Sequence, residues 1–85
     1  MNKMIDDPLL IPIKVMGRSE ILKADMIEGL ISKILGPQAH HAHRYAVACK
    51  GQYISHTFWV SLGNAEQEKP LREAISKLPG YELQL

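Results

Sequence analysis

The chain has one cysteine, Cys49. No internal disulfide can form, and a lone thiol suits a reducing compartment. Net charge is almost absent: ten Lys and Arg stand against nine Asp and Glu, which leaves +1. That balance provides no field to attract nucleic acid or an anionic membrane. No apolar run approaches the ~20 residues that a membrane-spanning helix needs. The opening stretch MNKMIDDPLLIPI carries two early aspartates and is broken by Pro8 and Pro12, which is not the build of a signal peptide. A soluble, cytoplasmic protein is expected. Catalytic signatures are lacking as well: there is no Gly-x-Ser-x-Gly, no Walker loop and no patterned pair of carboxylates. The expectation is a protein that is not an enzyme and has no cofactor.

Eighty-five residues make one small domain. Such a chain buries only about 60–65% of its unfolded surface, so association can supplement its stability. An apolar fraction of 46% and a charged fraction of 22% are ordinary globular values. Aromatics are scarce, with one Phe, one Trp and three Tyr, so the side on which each falls matters. The stretch Arg44 to Leu62 reads as two strands joined at Lys50-Gly51-Gln52. In the strand after the turn, Ile54, His56, Phe58, Val60 and Leu62 share one face, and Tyr53, Ser55, Thr57, Trp59 and Ser61 the other. The first set is assigned to the core. A tryptophan and a tyrosine are then left on the outward face.

Residues 1–9 are expected to be a flexible leader and residues 10–85 the domain. A strand is expected over Leu10–Met16, with Ile11, Ile13 and Val15 inward and Gly17 ending it. Ile27, Leu30, Ile31 and Ile34 follow helical spacing within 24–35. Either Asp25, with Glu28 completing a capping box, or Ser19 marks the start of that helix, and Gly36-Pro37 stops it. Gln38–His43 reads as a polar, histidine-rich loop. A second helix begins at Asn64, paired with Gln67, or only at Lys69-Pro70, and its apolar stripe is Leu71, Ala74, Ile75 and Leu78. A last strand, Tyr81–Leu85, has Tyr81, Leu83 and Leu85 on one face. The order β-α-β-β-α-β with right-handed crossovers predicts an α+β, ferredoxin-like fold: two helices on one face of a four-stranded antiparallel sheet.

The stretches Ile13-Lys14-Val15-Met16-Gly17 and Lys50-Gly51, followed by Tyr53, Ser55 and Thr57, resemble the small bacterial YbeD-like proteins. The resemblance runs from about Leu10 to Leu85. It implies a ferredoxin-like, ACT-domain-like fold, no assigned activity, a regulatory role by likeness to amino-acid-sensing domains, and no catalytic residue. His56 and Trp59 depart from the pattern, because a small β-branched residue is expected at each, and so does the histidine-laden loop.

Three groups of residues are candidates for function. The open sheet face, with Lys14, Met16, Tyr53, Thr57, Trp59, Glu82 and Gln84, is expected to be a contact surface for a protein partner or a second copy. RNA binding is not expected, since the first strand offers only Lys14 and Met16 where an RNA-stacking sheet places aromatics. The turn Gly17, Arg18 and Ser19, near a helix start, could hold the carboxylate of a small-molecule effector. ACT-like domains bind effectors in that region, which is an analogy of fold. His40, His41, His43 and His56 are good ligand types, but their spacing matches no metal site and no metal is expected. Cys49 could act as a nucleophile only beside a base such as His56, and a small hydrophobe in a strand is the expected role.

Overall fold

A computed structural model describes residues 9–85. The chain runs β1 (Leu9–Arg18), α1 (Ala24–Leu35), β2 (His40–Ala48), β3 (Tyr53–Leu62), a 3-10 turn at Ala65–Gln67, α2 (Glu68–Ile75) and β4 (Tyr81–Gln84). The strands form one antiparallel sheet in the order β2-β3-β1-β4. This is the ferredoxin-like βαββαβ plan. Most of the expected leader, residues 1–8, lies outside the described residues, and Leu9 already belongs to β1.

The central pair β1–β3 is continuous, and its register decides what each face carries. Ile11 lies opposite Val60, Ile13 opposite Phe58 and Val15 opposite His56, while Pro12, Lys14 and Met16 face Trp59, Thr57 and Ser55. Cross-strand partners share a face. The first set therefore packs under the helices, and the other set points outward. Ile13, Val15, Phe58, Val60 and Leu62 meet Ile27 and Ile31 of α1 and Leu71 and Ile75 of α2 in one buried cluster. Each such side chain, fully enclosed, contributes about 1.5–3 kcal/mol. Leu22, in the turn before α1, is equally buried, and its N–H donates to the Arg18 carbonyl at 2.8 Å.

Several boundaries differ from expectation for physical reasons. Gly17 does not end β1. It sits inside the strand because a Cβ there would lie 2.2 Å from the Gly80 carbonyl oxygen, so the absence of a side chain serves close approach to β4. Helix α1 is capped by neither Asp25 nor Ser19. Lys23 occupies the cap without a side-chain hydrogen bond, and Asp25 falls in the first turn, where its charge favours the helix dipole. Asn64 does cap, with Oδ1 accepting from the Glu66 N–H at 2.9 Å, but what it caps is the 3-10 turn. Gln67 Oε1 accepts from the Gly63 N–H at 2.6 Å, one residue outside a standard capping box. Helix α2 starts at Glu68, so Pro70 lies in its first turn, where no intrahelical N–H is required.

Of the polar loop expected over Gln38–His43, Gln38 and Ala39 do precede the strand, but His40 to His43 are the beginning of β2, with His41 as an extra residue between His40, opposite Val60, and Ala42, opposite Trp59. Histidine carries little strand signal in a sequence, and an edge strand needs no clean alternation. Cys49 is not in a strand. It is exposed in the turn with φ 54°, followed by Lys50 at 57° and Gly51 at 87°.

Candidate functional site

Two surfaces collect the polar and apolar groups that the core leaves over. The first is the open sheet face. Lys14, Met16, Tyr53, Thr57 and Trp59 all lie on it, as their register requires. Arg44 of β2 places its guanidinium carbon 5.5 Å from the centre of the Trp59 ring. Arg18 does the same over Tyr53 at 5.5 Å. Both contacts are cation–π interactions that hold each aromatic against the sheet. His41 Nε2 lies 3.0 Å from Ser61 Oγ on this same side.

β4 overturns part of the expected face. Gln84 lies opposite Val15, Leu83 opposite Met16 and Tyr81 opposite Gly17, so the register shifts between Met16 and Gly17 and Glu82 is the extra residue. One bulged residue inverts the alternation beyond it. Tyr81 stays packed against the core, but Leu83 and the residue after β4, Leu85, turn to the open face. Leu85 exchanges backbone hydrogen bonds with Lys14 at 2.9 and 3.3 Å. Gln84 moves to the helix side. There its Nε2 donates to the Arg72 carbonyl at 2.8 Å, and Arg72 Nη1 donates to Gln84 Oε1 at 3.3 Å. Gln84 therefore ties β4 to α2 rather than facing outward. In exchange the open face gains two leucines, Leu83 at 44% exposure and Leu85 at 69%, on the side of the sheet that also carries Leu10 at 57%.

The other surface is a pocket of about 330 Å³ between the turn after β1 and the tip of the β2–β3 hairpin. Arg18, Ser19, Glu20, Lys50 and Gln52 line it. Ser19 closes its floor, its Oγ donating to the Gly51 carbonyl and its N–H to the Gln52 carbonyl at 3.0 Å. Of the expected effector residues, Arg18 and Ser19 are here, whereas Gly17 is buried under Gly80. The helix N-terminus expected beside them is absent from the pocket, since α1 begins only at Ala24. Lys50 takes its place as the other cation, which a linear reading could not find because it lies more than thirty positions along the chain.

The histidines divide between faces. His41 is on the open side, while His40, His43 and His56 lie on the helix side of β2 and β3. His43 Nε2 and His56 Nδ1 share a hydrogen bond of 3.0 Å, and His43 stacks on Phe58 with ring centres 4.4 Å apart. His40 meets Phe58 edge-on at 5.2 Å. Among the described residues no group of three or more His, Cys, Asp or Glu is placed to hold a metal ion. Nor is any helix among them long and apolar enough to cross a membrane.

A family model described as "Protein of unknown function (DUF493)" matches residues 2–85. The chain belongs to the DUF493 family. No curated protein matches it. Among solved structures, the ACT domain from GTP pyrophosphokinase of Chlorobium tepidum superposes with a TM-score of 0.73 at 16% identity, covering 93% of this chain and 97% of that one. At that identity the likeness concerns the fold. This DUF493 domain thus shares the ACT-type arrangement of two helices on one four-stranded sheet, with the pocket between Arg18 and Lys50 at one end and a broad open face opposite the helices.

Proposed function

We propose that this DUF493 chain is a non-catalytic regulatory module of the YbeD-like kind, working in the cytoplasm, and that it self-associates through the open face of its sheet. The observation that carries this reading is the apolar patch of Leu10, Met16, Trp59, Leu83 and Leu85. Bulging of β4 at Glu82 turns two leucines out of a core they could have joined, and exposed apolar groups gathered in one patch mark contact surfaces. A second copy is the occupant that fits. A net charge of +1 produces little self-repulsion, and a domain this small gains stability from association.

Light scattering over micromolar concentrations tests it. Wild type is expected to be a dimer, and Leu83→Asp or Trp59→Ala a monomer with a dissociation constant at least about tenfold higher, as the loss of one well-buried apolar anchor implies. A wild-type chain that stays monomeric, with the Trp59 emission of an indole in water at every concentration, would sink the reading.

An alternative reading rests on the pocket. Arg18 and Lys50 outnumber Glu20 there, which suits the carboxylate of an amino-acid-like effector. Equilibrium dialysis against the amino acids should then find a ligand whose binding weakens about tenfold or more in Arg18→Ala, the scale of one lost charge-assisted hydrogen bond. If no amino acid is retained, or if Arg18→Ala retains it equally, the pocket is not an effector site.

A further inference from the structure

His56 is 4% exposed, and its one hydrogen bond to a side chain is the 3.0 Å contact with His43 on the neighbouring strand. Its other ring nitrogen, Nε2, is enclosed with no partner at bonding distance among the described residues. We propose that His43 and His56 form a proton-operated latch, which fastens the edge strand β2 to the helix side of the sheet at neutral pH and releases it in mild acid.

The geometry permits one proton between Nε2 of His43 and Nδ1 of His56. While one of the two facing nitrogens carries the proton and the other is bare, the pair is satisfied as donor and acceptor. Once both rings are protonated, two N–H groups and two positive charges face each other at 3.0 Å with no acceptor between them. The surroundings do little to relieve this. From β3 the neighbour is Phe58, stacked on His43. From β1 it is Val15, opposite His56, and from β2 it is Tyr45, whose ring centre is 6.5 Å away. Burial, and after it the facing His43, hold the His56 pKa below its ordinary 6.5. They outweigh the two groups that favour a charged His56, the Leu22 carbonyl and the Glu28 carboxylate of α1.

The sign follows from linkage. The unfolded chain takes up a proton near pH 6.5 that the folded His56 resists, so the latch's stabilisation is complete above that pH and is lost as pH falls below it, through the lower pKa of the folded ring. Release has a structural consequence because, among the described residues, β2 has one strand neighbour. Tyr45 and Val47 are already 65% and 58% exposed, and a departing His43 uncovers Phe58. Mild acid therefore loosens this edge before the rest of the sheet.

Thermal melting at about pH 7.5 and about pH 5.5 reads the effect. Wild type is expected to lose about 5 °C or more, the shift that a modest stability change produces in a domain this size. His43→Phe keeps a ring on Phe58 but has no proton to share, and the acid-induced fall should shrink measurably to the part that burial of His56 alone produces. His41→Ala, on the other face, should keep the whole fall. A wild-type melting temperature that is flat with pH, or an equal fall in His43→Phe, overturns the latch. Should His43→Phe not fold, the wild type alone decides. The His56 imidazole resonances should titrate below the ordinary 6.5, and amide protection, corrected for intrinsic exchange, should drop in β2 before β1. A His56 that titrates like an imidazole in water, or an equal loss in all four strands, overturns it.

Discussion

Phe58→Ala is expected to cost about 3–5 kcal/mol, the range for truncating a buried aromatic. Trp59→Ala, one residue along, should cost the monomer less than about 1 kcal/mol, because only an outward-facing ring and its cation–π contact are lost. A chain of this length has a total stability of about 4–13 kcal/mol. The Phe58 variant therefore approaches the limit of folding, and the Trp59 variant does not. Urea denaturation separates them through the midpoint at a shared slope. Fully enclosed Phe58 touches the histidines of β2 and sits in the cluster that both helices cover. Trp59 carries Arg44 on its ring and belongs to the patch assigned to association. If the two variants lose similar stability, the faces of the sheet have been misassigned and the docking surface goes with them.

Gly17→Ala should be nearly as damaging, at about 3 kcal/mol, the upper end for overpacking. In melting temperature that is a fall of about 10 °C or more. The added Cβ would lie 2.2 Å from the Gly80 carbonyl oxygen and 2.9 Å from Leu22 Cδ2. The leucine can shift. The carbonyl cannot, because it accepts from the Arg18 N–H at 2.9 Å and so helps hold the chain entering β4 against β1. Gly29 makes the comparison: a Cβ there meets nothing within 4 Å, so Gly29→Ala in α1 should stabilise by about 0.5–1 kcal/mol. The two glycines thus predict opposite signs in one calorimetric experiment. Because the bulge at Glu82 falls beside Gly17, the same substitution should disturb Leu83 and Leu85 and weaken self-association. A Gly17→Ala protein that melts with wild type would show that β4 does not rest on that glycine.

The fold is largely legible in the sequence. The period-two alternation from Ile54 to Leu62 and the helical spacing of Ile27, Leu30, Ile31 and Ile34 each name an element and its buried side. The order of those elements leaves few topologies that obey right-handed crossover. The functional surfaces are legible only in part. Met16, Thr57 and Trp59 can be placed because β1 and β3 pair without interruption, so alternation carries through. Gln84, Leu83 and Leu85 cannot, because one unpaired residue inverts every face beyond it and no local signal announces it. His40, His41 and His43 read as a loop because β2 lies at an edge, where burial writes no pattern into the sequence.

By itself, then, the sequence determined the element order, the inner face of the two central strands, and the stop at Gly36-Pro37. Each of these follows from contacts between near neighbours along the chain. Only the tertiary structure decided that Gly17 yields space to Gly80, that Lys50 joins Arg18 around one pocket, that β4 presents leucines outward, and that His43 meets His56. Those are matters of register and close approach between segments far apart in sequence, and residue periodicity holds no information about either.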